Sequence, residues 1–272
     1  MSWIQTALGK VINLRRGYDL PTAKRIKGPY PVYSSSGATG SHNKYAAKGP
    51  CVITGRYGTL GEVFFSESAC WPLNTALYSD EFNGNNPRFI YYLLKTIPWQ
   101  EYTTASAVPG INRNHVNLCP VRIPDIQTQD IIAEILESFD NKIATNTKLN
   151  GYLEELLLEE YDHLFSTKVD YDGTLADIGE VIGGATPSRK NAEYYCADGI
   201  GWITPRDLAN TNNKFIAHGA NDITEKGYNS CSVKILPKGS VLFSSRAPIG
   251  YIAVASDAVS TNQGFKSIVP KK

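Results

Sequence analysis

The chain carries the same pair of hydrogen-bonding side chains twice. In the first copy Arg56 ends a β-branched run and Asn74 follows 18 residues later, and in the second copy Arg246 and Asn262 stand 16 residues apart. An arginine can bind phosphate or the edge of guanine through two parallel hydrogen bonds, and an asparagine can bind adenine in the same two-pronged way. Two such pairs on one chain indicate a protein that contacts a long polyanion, such as nucleic acid, at two separated places.

Residues that occur in both copies are poorly suited to distinguish two different base sequences. The repeated arginine and asparagine could instead hold a loop that both copies share, contact phosphate, or stabilise a common distortion of the ligand. Specific reading of bases is the competing interpretation. The sequence leaves these interpretations open.

Other basic and hydrogen-bonding residues fall into two groups, because phosphate contacts position a protein on nucleic acid and base contacts select the sequence. The candidates for phosphate contact are Lys24, Arg25, Lys27, Lys44, Lys48, Arg189, Lys190 and Lys214. The candidates for base reading are Tyr33, Ser35, His42, Arg56, Tyr57, Asn74 and Arg113 in the first copy and Thr204, Arg206, Arg246, Asn262 and Gln263 in the second. For each member of the first group, an ordinary solvated surface charge is the competing interpretation.

Sequence patterns of catalysis are absent or incomplete. The chain has no P-loop, H-E-x-x-H or G-x-S-x-G, and its four histidines are too dispersed for a metal site. Asn86-Pro87 begins a stretch similar to the Asn-Pro-Pro-aromatic loop of amino-methyltransferases, but the second proline is missing. Asp140 and Lys142 complete a nuclease-like pattern, but two positions apart on a helix they point to different faces. We therefore expect a binding protein with no catalytic residue, metal or cofactor of its own.

Short strands must position the repeated pairs. Each copy reads as a β-branched run that ends at the arginine, a turn at glycine, and a second strand. A helix is predicted at Pro87–Leu94, with Asn86 as N-cap and proline at the first helical position. The stretches that begin at Leu8 and Leu175 match one another, and each predicts a short helix ended by glycine. The predicted fold class is α+β.

The segment Ile126–Phe165 has the clearest helical pattern. Its apolar residues follow the spacing of an a/d heptad seam, in which Asn146 and Asn150 are polar interruptions of the kind that fix register and partner. At 1.5 Å per residue the segment predicts a rod about 60 Å long. Because one amphipathic helix cannot bury such a seam alone, it requires a partner. The candidate contact residues are Ile132, Leu136, Phe139, Ile143, Leu153 and Leu157.

The charges of the 272 residues sum to +1 but are divided unevenly. Residues 1–124 hold 13 basic and 6 acidic side chains, residues 125–167 hold 2 and 10, and residues 168–272 hold 12 and 10. An acidic middle between two basic ends favours a polyanion held at the ends. The chain has no apolar run long enough to span a bilayer, no signal peptide and no C-x-x-C pair, so we expect a cytoplasmic protein without membrane contact.

Several stretches resemble one known family, the specificity subunits of type I restriction-modification systems. In the second half, the similarity to a target-recognition domain lies in Gly184-Ala-Thr-Pro-Ser-Arg, Trp202-Ile-Thr-Pro-Arg-Asp, the run from Leu236 to Tyr251, and Thr261-Asn-Gln-Gly-Phe-Lys. A second subtype of that domain is resembled by Ser41-His-Asn-Lys-Tyr, Gly55-Arg-Tyr-Gly-Thr-Leu-Gly-Glu-Val and Ala107–Arg113. The run from Ile123 to Ile143 resembles the junction into the family's spacer helix.

The resemblance implies two mainly β target-recognition domains, at residues 1–124 and 168–272, separated by a coiled-coil spacer helix at residues 125–167. Each domain would read one half of a bipartite site on double-stranded DNA, in a subunit without catalytic residues. The implied partners are modification subunits, which are adenine methyltransferases, and through them restriction or translocase subunits. S-adenosylmethionine, ATP and magnesium would be bound only by those partners.

The match between the two halves also leads to an expectation about completeness. A second unit of the same length as the first would extend roughly 60 residues past Lys272, so the second domain is expected to be incomplete and the less stable of the two. The chain is then expected to self-associate through Ile126–Phe165 or to be soluble only with a partner. A truncated or silent specificity allele that binds DNA or modification subunits without supporting restriction is the alternative function. A carbohydrate- or protein-binding β-module would explain the aromatic residues but not the acidic helix.

Overall fold

The computed structural model describes residues 3–104, 110–165, 173–211 and 213–271. Part of the Ala107–Arg113 motif, the last two residues of the predicted spacer and residues 168–172 of the predicted second domain lie outside these ranges. The chain divides into two compact units, Met1–Glu160 and Tyr161–Lys272, which we call the first and second unit. The division falls within the predicted spacer helix.

The described part of the first unit contains short strands and four helices, as the turn-rich sequence predicts, and the last helix continues past the end of this unit at Glu160. The strands are β1 (Ile4–Ala7), β2 (Arg15–Arg16), β3 (Tyr30–Ser34), β4 (Gly37–His42), β5 (Cys51–Gly55), β6 (Val63–Ser66), β7 (Trp71–Pro72), β8 (Ala76–Ser79), β9 (Thr103–Thr104), β10 (Gly110–Ile111) and β11 (Pro120–Ile123). The helices are α1 (Leu8–Val11), α2 (Pro87–Lys95), α3 (Arg113–Val116) and α4 (Ile126–Phe165), with single 3-10 turns at Thr22–Lys24 and Trp99–Tyr102.

In the described residues of the first unit, two sheets have more than two strands. An antiparallel sheet has the strand order β2-β8-β5-β6, and a second sheet has the order β4-β3-β7, in which β3 and β7 run parallel. Strands β1 and β11 form a separate antiparallel pair. The main core lies between the first sheet, α2 and the beginning of α4, and it includes Val52, Leu77, Ile90 and Leu94. No βαβ unit is needed to explain this arrangement.

Helix α2 confirms the capping signal read from the sequence. The Asn86 side chain accepts a hydrogen bond from the amide of Phe89, and Pro87 takes the first helical position, where no amide donor is required. The apolar side chains of Phe89, Ile90 and Leu94 face the core. The sequence signal thus fixes both the start of the helix and the face that it buries.

Helix α4 has the bounds that the sequence predicts. At its start the Asp125 carboxylate accepts hydrogen bonds from the amide and the hydroxyl of Thr128, which hold the pKa of Asp125 below its ordinary value. The buried Gln129 side chain donates to the Asn85 side chain and to the Pro124 carbonyl. These contacts fasten the first turn of the helix to the first unit.

The following turns of α4 are held against α2 by side-chain contacts. Glu137 forms an ion pair with Arg88 at 2.9 Å, and Asp140 accepts a hydrogen bond from the Tyr92 hydroxyl at 2.8 Å. Ile132 packs against the core of the first unit. Ile132 is only partly buried there, so its role as a subunit contact stays a prediction.

The remaining predicted seam residues of α4 are exposed. Phe139 and Leu157 are 62% and 65% accessible, and Leu136, Ile143 and Leu153 also lie on the exposed surface. Fifteen large hydrophobic side chains between Ile126 and Phe165 are exposed in all, more than an a/d seam alone contains.

The second unit repeats the mixture of short strands and short helices. Its strands are β12 (Gly179–Gly183), β13 (Tyr195–Cys196), β14 (Gly201–Ile203), β15 (Phe215–Ile216), β16 (Asp222–Ile223), β17 (Val241–Phe243), β18 (Ile252–Ala255), β19 (Val259–Thr261) and β20 (Lys266–Pro270). Its helices are α5 (Leu175–Ile178), α6 (Pro205–Ala209) and α7 (Glu225–Asn229), and a 3-10 turn spans Ala192–Tyr194.

A five-stranded sheet of order β12-β20-β17-β18-β15 forms the centre of the second unit. Strands β14 and β19 pair in parallel beside it, as β3 and β7 do in the first unit. Leu242, Phe265 and Leu236 lie in the main core. The combination of two largely β units with one long helix confirms the predicted α+β class.

The opening helices depart from the sequence prediction at their ends. Helix α1 ends at Val11 and the chain continues in extended conformation at Ile12, so no glycine ends it. Helix α5 does end at Gly179, but this glycine has a φ of −167°, an extended conformation open to any residue. In both units the extended strand that follows ends the helix, rather than a left-handed glycine cap.

Candidate nucleic-acid interface

The repeated arginine segments are held by the same backbone hydrogen bonds in each unit. In the first unit the amides of Arg56 and Tyr57 both donate to the Thr75 carbonyl, at 2.8 and 3.2 Å. In the second unit the amides of Arg246 and of the residue before it both donate to the Gly264 carbonyl, at 3.2 and 2.8 Å. Arg246 therefore occupies the position of Tyr57, one residue away from the position of Arg56.

The repeated asparagines are shifted by the same single residue. The amide of Leu73 donates to the Tyr33 carbonyl at 2.8 Å, and the amide of Asn262 donates to the Ile203 carbonyl at 3.0 Å. Asn262 therefore occupies the position that Leu73 has in the first unit, and Gln263 occupies the position of Asn74. Aligning identical residues in the sequence therefore gives the wrong structural equivalence between the units. The equivalent positions are set by the hydrogen bonds between paired strands, and, counted from the last paired residues, the hairpin loop between β5 and β6 has the same length as the loop between β17 and β18.

A glycine supports this common frame in both units. A Cβ atom on Gly17 would lie 2.2 Å from the Leu73 carbonyl oxygen, and one on Gly184 would lie 2.1 Å from the Asn262 carbonyl oxygen. Only glycine allows the chain to pass so close to the loop. The repeat thus encodes a shared backbone frame, and the side chains on that frame differ between the units.

Three arginines of the first unit line one depression of about 400 Å³. Arg56 and Tyr57 were predicted as base readers, as was Arg113 at the start of α3. Arg16, which is not among the residues predicted from the sequence, completes the group. The other lining residues are Leu77, Gly110, Ile111, Asn112 and Asn114. The sequence feature that could have identified Arg16 is its position next to Gly17, in the stretch from Leu8 that is repeated from Leu175.

The arginines in this depression differ from others in the same unit. Arg15 is paired with Asp80, and Arg88 is paired with Glu67 and Glu137. Among the described residues, no ion pair involves Arg16, Arg56 or Arg113, and no lining residue is acidic. The depression is therefore positively charged and open to an anionic ligand.

Tyr57 holds the Arg56 side chain in place. The guanidinium carbon of Arg56 lies 4.4 Å from the centre of the Tyr57 ring, and a guanidinium nitrogen lies 3.5 Å from the Tyr57 hydroxyl. A Cβ atom on Gly110 would meet the Tyr57 ring at 2.2 Å, so the ring lies directly on the backbone there. The Arg56 guanidinium also donates to the Asn74 carbonyl at 3.4 Å.

The second unit has a smaller depression of about 340 Å³ in a different place. Arg189, Thr204 and Arg206 of the predicted set line it together with Trp202, Asp207, Asn210, Ala220 and Asn221. The Thr204 amide and hydroxyl donate to the Asp207 carboxylate at 2.7 and 2.6 Å, which caps α6. The structure therefore gives Thr204 a structural partner, whereas both arginines are exposed.

Two predicted base readers of the first unit are engaged in packing. His42 is buried, its Nδ1 atom accepts a hydrogen bond from the Ile26 amide at 3.1 Å, and its ring contacts the Trp71 ring edge-on. The prediction that His42 faces the ligand is corrected by this burial. Tyr33 is half-buried against Phe64, and burial raises its pKa.

The other predicted residues of the first unit remain near the surface. Ser35 lies against the Arg56 loop, with its hydroxyl 3.4 Å from the position of a Cβ on Gly58. The Asn74 side chain donates to Asp19 at 3.0 Å, and Arg25 donates to the Thr39 carbonyl at 3.1 Å. The four predicted lysines are exposed: Lys24, Lys27, Lys44 and Lys48.

In the second unit the loop that carries Arg246 is exposed from Arg246 to Gly250. The Asn262 side chain accepts a hydrogen bond from the Gly264 amide at 2.8 Å, which stabilises the turn that holds the loop. Gln263 is exposed and accepts a hydrogen bond from the Thr186 hydroxyl. Lys190 and Lys214 are exposed as well.

Metal-binding clusters and membrane-spanning helices are absent from the described ranges. There, no three His, Cys, Asp or Glu side chains lie close enough together to hold a metal ion. Within the same ranges, no helix combines the length and apolarity needed to cross a membrane. The cysteines Cys51, Cys70, Cys119, Cys196 and Cys231 are free thiols.

Comparison with known proteins gives a consistent result along the chain. The family model of the type I restriction modification DNA specificity domain matches residues 2–155 and 169–272. The type I restriction enzyme MjaIX specificity subunit of Methanocaldococcus jannaschii is 55% identical over 97 residues, which are 36% of this chain and 22% of that protein.

Two further relatives align over longer stretches. The type I restriction enzyme EcoR124I/EcoR124II specificity subunit of Escherichia coli is 26% identical over 245 residues, covering 85% of this chain and 59% of the relative. The HindI specificity subunit of Haemophilus influenzae is 24% identical over 265 residues, covering 68% of this chain and 57% of the relative. The chain thus spans less than two thirds of the length of these relatives.

A solved structure has the same fold. The S subunit of a type I restriction-modification system from M. genitalium superposes with a TM-score of 0.64 at 15% identity, covering 100% of this chain and 73% of that one. Because the family model covers nearly every residue, the chain belongs to the type I restriction modification DNA specificity family.

Proposed function

We propose that the chain supplies DNA sequence specificity to a type I restriction-modification complex, with each unit binding one half of a bipartite target. The observation that carries the proposal is the common backbone frame in two compact units, joined along the chain by a 40-residue helix. Each unit also has an arginine-lined depression. Two similar modules on one chain suit a ligand with two separate contact sites.

The one-residue shift supports different specificities for the two units. On the common frame the first unit presents Arg56 and Tyr57, and the second presents Ser245 and Arg246. The two units therefore offer different hydrogen-bonding groups from similar loops, as recognition of two different half-sites requires.

The exposed apolar face of α4 supports the proposed partners. It suits helices of modification subunits, which would carry out adenine methylation and connect to restriction or translocase subunits. The chain itself has no catalytic role in this proposal, and S-adenosylmethionine, ATP and magnesium are bound by the partners. Such a complex acts on chromosomal or invading DNA in the cytoplasm.

Selection from a pool of random duplexes tests this function with the purified full chain. We expect enrichment of two short motifs separated by a constant gap. Methyl transfer, DNA cleavage and ATP hydrolysis are expected to stay at background in the same preparation. A pool that remains random after selection, although the protein retains DNA, would contradict sequence specificity. Methyl transfer by the rigorously purified chain would contradict the non-catalytic role.

A further inference from the structure

The depression beside the Arg56 loop concentrates like charges. Arg16 and Arg113 are exposed and Arg56 is half-buried, and the hydrogen bonds that Arg56 and Arg113 donate to backbone carbonyls are long, at 3.4 Å. Each guanidinium carries five N–H donors, so most of them remain available. Like charges gathered without a counter-charge repel one another, and a bound anion would relieve that repulsion.

The depression is also organised before any ligand binds. The Tyr57 ring lies against the Gly110 backbone, and its centre is 4.4 Å from the guanidinium carbon of Arg56. The amide of Ile111 donates to the Arg56 carbonyl at 2.9 Å, which joins this segment to the Arg56 loop. A preorganised side chain loses less conformational entropy when it binds a ligand.

We propose that Arg16, Arg56 and Arg113 form a phosphate subsite that anchors the first unit to the backbone of one DNA strand. Tyr57 is the positioning residue for Arg56. This inference rests on the proposed DNA-binding function and deepens it. It replaces the sequence-based interpretation of Arg56, Tyr57 and Arg113 as base readers. The chemistry favours phosphate, because a base edge is uncharged and one arginine suffices for guanine, whereas three guanidinium groups can contact one to three of the anionic phosphates along a strand.

The corresponding positions of the second unit lack this set of charges. In the matched opening stretches Gly183 stands where the first unit has Arg16, and in the hydrogen-bond register Ser245 stands where it has Arg56. Among the described residues of the second unit, two of the three arginine positions of the subsite therefore carry no charge. That agrees with the larger positive charge of residues 1–124.

Salt dependence of DNA binding tests the subsite with the full chain. Two labelled 30-base-pair duplexes are compared, one rich in A·T and one rich in G·C, with the wild type and the variant R16Q/R56Q/R113Q. Each lost phosphate contact should lower the slope of log K against log[salt] by about 0.9, so we expect a reduction of about 0.9 to 2.7, equal on both duplexes. The matched control K10Q/K95Q/R122Q removes three charges of the same unit outside the depression, and its slope should change by less than half as much.

A second pair of variants tests positioning without changing the charge. Tyr57→Ala should weaken binding about two- to five-fold on both duplexes, since a surface cation–π contact is worth that much, while Tyr57→Phe keeps the ring and should bind as the wild type does. If Tyr57→Phe binds DNA as the wild type does, the weaker binding of Tyr57→Ala results from loss of the ring that positions Arg56 and not from loss of the hydroxyl. This pair of variants also keeps the test valid if the triple variant does not fold.

The outcomes separate the two proposals. If the wild type binds neither duplex, the DNA-binding function and the subsite both fail. If the wild type binds but the R16Q/R56Q/R113Q variant keeps its salt slope, or weakens only on the G·C-rich duplex, the phosphate subsite is wrong and the DNA-binding function stands.

Discussion

The two units share a backbone frame, but the helices that open them are buried to very different extents. Leu8 and Val11 of helix α1 are 0% and 1% exposed, and they lie in the core beside α2 and the start of α4. The matching residues of helix α5, Leu175 and Ile178, are 57% and 64% exposed. Local sequence therefore determines the helix and strand pattern in each unit, whereas burial depends on what packs against it.

The sheets show the same contrast. In the first unit Val52 and Phe65 pair across β5 and β6 and pack under α2, where Arg88 lies over the Phe65 ring. In the second unit a row of apolar residues crosses all five strands and remains partly or fully exposed. The row is Val181, Ile268, Val241, Val254 and Phe215. The first unit is thus expected to be the more stable one, as the sequence also predicts.

The largest expected effect comes from one substitution made at matched positions. Leu8→Ala removes a fully buried side chain and should cost the first unit about 2–5 kcal/mol of unfolding free energy. Leu175→Ala removes an exposed side chain and should change the second unit by less than about 0.5 kcal/mol. Hydrogen exchange under increasing urea can follow each unit separately. Equal costs would mean that the Leu175 face is buried in solution, and the contrast would disappear.

The next effect separates the two arginine loops. Arg246 stands at the Tyr57 position on an exposed loop, outside any cluster of arginines comparable to that of the first unit among the described residues. We expect Arg246→Ala to cost about 1–3 kcal/mol of binding energy on the selected target only, because loss of a base contact relaxes sequence preference. Competition with non-specific DNA measures this directly. Equal weakening on all DNA, with a shallower salt slope, would assign Arg246 to phosphate instead.

Loss of a helix N-cap should lower the stability of either unit by a similar amount. Asn86 caps α2 and Thr204 caps α6, so each alanine substitution should cost about 1 kcal/mol of unfolding free energy in its own unit. Thermal unfolding of the two variants provides the measurement. If Thr204→Ala left stability unchanged but altered the selected DNA motif, Thr204 would be a base reader, as the sequence suggests.

The smallest effect is a pH dependence confined to the second unit. The His218 ring lies 2.6 Å from the buried Asp222 carboxylate, whose hydrogen bond and charge raise the pKa of His218. A raised pKa in the folded state gives stability that is fully present below the unfolded pKa, near 6.5, and is lost as pH rises through the folded value. The stability of the second unit should therefore decline above pH 6.5. The effect should be modest, because the imidazole is largely exposed.

Replacing His218 with glutamine provides the control for this pH dependence. The substituted side chain cannot titrate, so the decline in stability above pH 6.5 should become shallower in this variant. An identical pH profile in the variant and the wild type would show that another group is responsible.

Sequence reasoning succeeded where the signal is local. The Asn86–Pro87 start of α2 and the bounds of α4 follow from capping and apolar spacing, which depend on neighbouring residues. It failed where long-range packing decides, as for the burial of His42. Arg16 was missed because its role depends on residues far away in the chain, and the one-residue register shift depends on strand pairing that no single segment reveals.

Mapping of methylated adenines tests the central claim most directly. The chain is co-expressed with type I modification subunits in cells that lack adenine methylation, and modified sites are located across the genome. We predict one bipartite motif with a constant gap, of which Arg246→Ala changes one half and leaves the other intact. Methylation in a single continuous motif, a change in both halves, or no methylation despite a stable complex would contradict two independent DNA-reading units.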